Sequence, residues 1–109
     1  MRFNAPLGEF EVVVLLAVLH LGEEAFGSAI RDEIQRRSRR RVSRGAVYIT
    51  LDRLEEKGLL TSRLAGGSDS RGGRPKRYFS ATATGLKGVK HSVQMLARMQ
   101  EGLEPLLGT

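Results

Sequence analysis

Thirteen basic residues stand between Arg36 and Arg77 against four acids, Asp52, Glu55, Glu56 and Asp69. A guanidinium is a planar fork of donors that stays charged at any ordinary pH. It suits the oxyanions of phosphate and the acceptor atoms on base edges. The rest of the chain holds five basic residues against eight acids, so the net charge of +6 resolves into a +9 centre between ends that sum to −3. A merely solvated surface does not require that asymmetry, whereas a polyanionic partner exploits it. Arg36, Arg37, Arg39, Arg40 and Arg41 crowd one segment, and Arg71, Arg74, Lys76 and Arg77 gather on and beside a glycine-rich one.

Bond-making chemistry is poorly supplied. Of the two histidines, His20 closes an apolar stretch and His91 falls at an outward heptad position, neither with a second ligand at metal-binding spacing. Glu55 and Glu56 are adjacent, so on a helix they diverge by about 100° and cannot work as a pair. Cysteine is absent, which removes thiolate metal sites, disulfides and cysteine nucleophiles. The segment Gly66 to Pro75 (GGSDSRGGRP) resembles a phosphate loop only superficially, because it lacks the Gly-Lys-Ser/Thr ending. No enzyme, metal or cofactor is expected.

The frame for these cations is small. A chain of 109 residues and 12.0 kDa fits one domain plus an appended arm and buries roughly 60–70% of its unfolded surface. The longest apolar run, Val12 to Leu19, is far shorter than the ~20 residues that span a bilayer, and no signal-like start precedes it. A cytoplasmic protein with no membrane partner is expected.

Leu7 to Leu21 reads as a helix, apolar almost all round and stopped by Gly22, despite three valines that suit a strand. Such a helix needs cover on every side, which a second subunit supplies. Gly27 to Arg41 is a second helix, with Gly27 and Ser28 as caps and its arginines on the negative end of the dipole. The third is the best signposted: Ser43 as N-cap, Val42 and Val47 at the hydrophobic-staple positions, and Gly58 as stop, predicting Arg44 to Lys57. Leu60 to Leu64 alternates as a strand and Tyr78-Phe79 marks the return strand. Thr82 caps a final helix reaching Glu104. In it Leu86, Val93, Gln100 and Leu107 recur every seven residues, as do Val89, Leu96 and Leu103, an a/d pattern for pairing across a dimer. Gly85 and Gly88 weaken its first turn.

These elements predict a mainly α fold with a small β-ribbon: a winged helix-turn-helix over residues 1–81 and a C-terminal dimerisation helix over 82–109. In such a module the start of the third helix enters the major groove. Ser43, Arg44, Gly45, Tyr48 and Ile49 occupy that start, and Arg53 lies further along. Asp52, Glu55 and Glu56 fill the later half, where they would repel phosphates. Arg39, Arg40 and Arg41 precede the groove, and Arg71, Arg74, Lys76 and Arg77 form the basic tip and flank of the wing. Double-stranded DNA is the expected partner, bound by a homodimer that pairs through Phe10, Val14, Leu86, Val89, Val93, Leu96, Gln100 and Leu103. The alternative is a helical dimer that binds apolar small molecules or a protein, with the basic face incidental. RNA fits less well, because Tyr78 and Phe79 alternate across the strand and form no stacking platform.

LGEFEVVVLLAVL, AFGSAI, SRGAVYITLDRLEEKGLL and GGRPKRYFSAT, in this order and spacing, resemble the PadR family of bacterial transcriptional regulators from Leu7 to Gly85. The resemblance implies a winged helix-turn-helix repressor, dimeric through its first and last helices, on an inverted-repeat operator. By position it makes Ser43–Gly58 the recognition helix, Tyr48 the family's tyrosine and Gly66–Arg77 the wing. Some short members stack planar aromatic compounds on an interfacial tryptophan. This sequence has no Trp, so it departs from that ligand mode; Phe10, Met95, Leu96 and Met99 are either plain core or the lining of an apolar effector pocket between subunits.

Overall fold

A computed structural model describes residues 7–66 and 74–108. The apolar opening segment folds as α1 (Glu9–Leu21), and the three valines yield to the length of the run. Glu11 reaches back to accept from the Gly8 N–H at 3.0 Å. Gly22, at φ +58, ends the helix in a single 3-10 turn. Val14, Leu15 and Val18 are buried, and Phe10, Val13 and Leu16 pack partly against them.

The second helix, α2 (Gly27–Ser38), stops three residues before the expected Arg41. Arg39 takes the left-handed conformation at φ 59 and donates its N–H to the Gln35 carbonyl at 2.9 Å. Arg39, Arg40 and Arg41 therefore lie in the turn, free of the helix axis. Gly27 and Ser28 do not cap α2; Phe26 occupies that position and they form the first turn. Two side chains brace the turn, Arg31 Nε on the Val42 carbonyl at 2.9 Å and Gln35 Oε1 accepting from the Val42 N–H at 3.0 Å.

Ser43 caps α3 (Arg44–Glu56) as expected, its hydroxyl accepting from the Ala46 N–H at 3.0 Å. Val47, Leu51 and Leu54 are fully buried on one face, and Gly58 follows at φ +79. Strands β1 (Leu60–Ala65) and β2 (Lys76–Ala81) pair antiparallel with Leu60 opposite Ala81 and Ala65 opposite Lys76. The far edge of β2 is also occupied. Phe79 donates to the Ala25 carbonyl at 2.8 Å, and Phe26 bridges Tyr78. The ribbon is thus fastened to the chain just before α2, a link with no local signature.

Thr82 caps α4 (Ala83–Gln100) by accepting from the Gly85 N–H at 3.0 Å, and donates to the Gly58 carbonyl at 2.7 Å. Gly85 and Gly88, read from sequence as weaknesses, are where α4 meets the body. A Cβ on Gly85 would overlap the Leu59 carbonyl oxygen, and Gly88 packs against Leu7. Gly85→Ala is therefore expected to cost about 1–3 kcal/mol, read as a fall in the urea midpoint at unchanged slope. Gly88→Ala, facing only the end of a flexible side chain, should cost less.

The predicted helix to Glu104 is interrupted. It ends at Gln100, Gly102 turns the chain at φ +86, and Pro105 sits in the first turn of a short α5 (Glu104–Leu107). Leu103 lies beyond the break, so the heptads do not continue through it. Val14 at 0% and Val89 at 4% exposure are interior residues of one chain and have no surface for a partner. Leu86, Val93 and Leu96 do stand exposed on α4, with Gln100 at its end.

Candidate nucleic-acid interface

The first half of α3 faces outward. Ser43, Arg44 and Gly45 are exposed, and Ile49 is 60% exposed, unusual for an isoleucine on a packed helix. Among the described residues, none beyond its own helix and chain neighbours lies within 4 Å of where a Gly45 Cβ would stand, so they do not demand glycine there. Tyr48 is half-buried, with the Arg44 guanidinium 5.5 Å from its ring centre. Its ring rests on Gly27, where any Cβ would overlap the phenol. The glycine of one helix thereby sets the position of the tyrosine of the next. Gly27→Ala should displace Tyr48 and weaken duplex binding more than it lowers thermal stability, measured by anisotropy beside a melting curve.

The turn cations Arg39, Arg40 and Arg41 are all exposed, and Arg40 pairs with Glu9 at 3.3 Å. Arg53 is exposed as well, near enough to Glu11 for its charge to help lower that carboxyl's pKa. On the wing, Arg74 is exposed and Lys76 Nζ lies 4.1 Å from the Phe26 ring centre. Arg71 lies outside the described residues.

Arg77 is engaged within the chain. It pairs with Asp52 at 3.1 Å and Glu55 at 2.5 Å, and its Nε donates to Ser62 at 3.2 Å. The acids of α3 thus clasp β2 to that helix. The Ser62 hydroxyl and then Arg77 hold the Glu55 carboxyl below its ordinary range, outweighing the opposing effect of burial. Sequence reasoning also passed over Arg63. It stands 5.0 Å from the Tyr78 ring centre and 3.7 Å from Glu23, on the strand outside the glycine-rich segment that drew attention.

Three carboxyls share this lowered state. Burial pushes the Glu11 carboxyl up, but Lys57 at 2.7 Å and the Gly8 N–H prevail. Arg37 and then Arg36 hold Glu33 down. A folded-state value below the usual 4.5 means the stabilisation is present in full above about pH 4.5 and is lost as pH falls through the lowered values. Melting temperature should therefore drop on acidification below that point, and Glu11→Gln with Glu55→Gln should flatten the drop.

Phe26, Gly27, Ser28, Tyr48, Pro75, Lys76 and Arg77 enclose a pocket of about 190 Å³ between α2, α3 and β2. Sequence reasoning gave Gly27 and Ser28 a capping role only and did not bring them to this face. A second pocket lies between α1 and α2. Neither is lined by Phe10, Met95, Leu96 or Met99; Phe10 packs on the core and the other three stand on the open side of α4. Among the described residues no three of His, Asp and Glu cluster as a metal site, and no helix is long and apolar enough to cross a membrane.

Residues 15–91 match the model of the transcriptional regulator PadR-like family. No curated protein matches the chain. Among solved structures, a PadR family transcription regulator from Clostridium difficile is similar over 90% of this chain and 98% of its own, at 20% identity and TM-score 0.73. A PadR-like transcriptional regulator from Bacillus cereus is similar over 92% of each chain, at 21% identity and TM-score 0.72. A PadR family transcriptional regulator from Eggerthella lenta shares 25% identity over 93% of this chain and 88% of its own, with TM-score 0.68.

Proposed function

The chain belongs to the PadR-like family of transcriptional regulators, and on that premise we propose that it is a cytoplasmic repressor that binds an inverted-repeat operator as a homodimer. Family membership makes it a winged-helix DNA-binding regulator of transcription, a class distinct from enzymes. The finer reading rests above all on the start of α3. Ile49 is uncovered and Gly45 answers to no crowding among the described residues, so both are suited to a surface that approaches from outside. Arg44 and Ile49 read base edges in the major groove, Gly45 lets the backbone come close, and Ser43 with its neighbouring amides meets a phosphate. Arg39, Arg41 and Arg74, with no ion pair among the described residues, neutralise the DNA backbone on either side.

Residues 82–109 serve as the dimerisation segment, through Leu86, Val93 and Leu96 of α4. A two-fold dimer places its recognition helices in successive major grooves, about 34 Å apart. An apolar effector held between the last helices near Met95 and Met99 would change that distance. It releases DNA only to the extent that it binds the two dimer geometries unequally. Selection of bound fragments from the source genome tests the proposal. An inverted repeat upstream of a gene whose transcript rises when this protein is removed supports it; random fragments bound equally well refute it.

A further inference from the structure

The turn that closes α3 is gripped by two other helices. From α1, the buried Glu11 carboxylate accepts from the Lys57 ammonium at 2.7 Å, while its other oxygen holds the Gly8 N–H. From α4, the Thr82 hydroxyl serves two helix ends at once. It accepts from the Gly85 N–H at the start of α4, and its own proton goes to the Gly58 carbonyl just past the end of α3. The Thr82 N–H adds a bond to the Leu59 carbonyl at 3.1 Å. A helix start has amides without partners and a helix end has carbonyls without partners, so one threonine here answers both needs. Because Gly85 has no side chain, α4 presses on the Leu59 carbonyl with only backbone between them. Backbone packed on backbone leaves little slack for a change of angle.

We infer that this turn is the joint that fixes the angle between α4 and the winged-helix body, with Thr82, Lys57 and Glu11 as positioning residues for the distance between the two recognition helices. The inference rests on the homodimer proposed above, in which Val93 and Leu96 of α4 meet the partner beyond the joint. None of the three residues stands at the start of α3, where bases are read. They act through the backbone at Gly58 and Leu59, and Glu11 ties that turn to α1 so that the body follows α4 as one piece. Gly58 lies about 14 Å along the axis from Ile49, so a tilt of about 10–15° at the joint swings the reading end by roughly 3 Å. One base pair between half-sites changes their separation by about 3.4 Å and turns them by about 35°. Slack of that size would blur one base pair of spacing, and the bonds at the turn remove it.

Inverted-repeat duplexes that differ only in spacer length test it, built on the half-site that fragment selection returns. The quantity read is the full-length protein's affinity for the best spacer divided by that for one base pair more or fewer, so any uniform loss cancels. Thr82→Val and Lys57→Gln should each lower that ratio by about two- to tenfold, the scale of one hydrogen bond, while sedimenting as the wild type does. Thr82→Ser and Lys57→Arg keep the donors and should keep the wild-type ratio. The Lys57 side chain is 41% exposed, so its variants carry the test should Thr82→Val fail to fold. Variants that weaken every spacer equally overturn the joint and leave the dimer standing. So do conservative variants that lower the ratio as far as the disruptive ones. A wild type that sediments as a monomer, or binds all spacers alike, overturns the dimer as well.

Discussion

Replacing Val93 and Leu96 together with glutamate is expected to turn the protein into a monomer and to lower operator affinity by about two to four orders of magnitude. The side chains stand exposed on one half of α4, beyond the point where Val89 anchors that helix. In a paired dimer four glutamates would face each other across an apolar contact, and buried like charges are costly. The loss on DNA is larger than the substitution itself because two half-sites held together bind as one event. Separating them forfeits the effective concentration that linkage supplies, worth about 10²–10⁴. Sedimentation at micromolar concentration reads the first effect and anisotropy on an inverted-repeat duplex reads the second. Monomeric variants that keep operator affinity would show that the half-sites are bound independently.

That α4 presents those residues was legible in the seven-residue spacing, but the fate of the two ends of the pattern was not. Val89 belongs to the heptad series by number and to the core by contact, because Gly85 and Gly88 let the helix start press against Leu59 and Leu7. At the other end, Gly102 and Pro105 break the helix before Leu103. A period states which residues share a face without stating what that face meets.

The third helix was legible almost in full, ending one residue before the expected Lys57, and for a local reason. Its cap, staple, buried stripe and stop all lie within Val42 to Gly58, where spacing alone determines geometry. Arg77 shows the opposite case. Its partners Asp52 and Glu55 are more than twenty residues away, and nothing near Arg77 in sequence separates a clasping arginine from a DNA-contacting one. The same holds for Gly27 under Tyr48 and for the Ala25 carbonyl paired with Phe79. Arg39 was missed for another reason: a left-handed residue is usually signalled by glycine or asparagine, and arginine gives no such sign.

The clasp on Arg77 sharpens the division between reading and anchoring. On the proposed docking Arg44→Ala and Ile49→Ala remove side chains that face the groove, so each should cost about 1–3 kcal/mol on the operator and much less on scrambled DNA. Arg74→Ala removes a cation that the described residues leave without an ion pair. It should weaken operator and scrambled duplex by similar factors and lower the slope of log K against log salt by roughly 0.9. Arg39→Ala and Arg41→Ala should follow Arg74, because the turn that carries them precedes α3. Arg77→Ala belongs with neither set. Its charge is already matched by Asp52 and Glu55, so the salt slope should stay near the wild-type value. The wing, no longer held to α3, should melt earlier, by an amount typical of exposed ion pairs, about 0.2–1 kcal/mol each. Salt titration of every variant on both duplexes, beside its melting curve, separates the three groups. An Arg77 variant that loses a full phosphate's worth of slope at unchanged stability would return that residue to the DNA contact set. If Arg74 variants lose sequence preference while Arg44 and Ile49 variants lose only general affinity, reading and anchoring are exchanged between wing and helix.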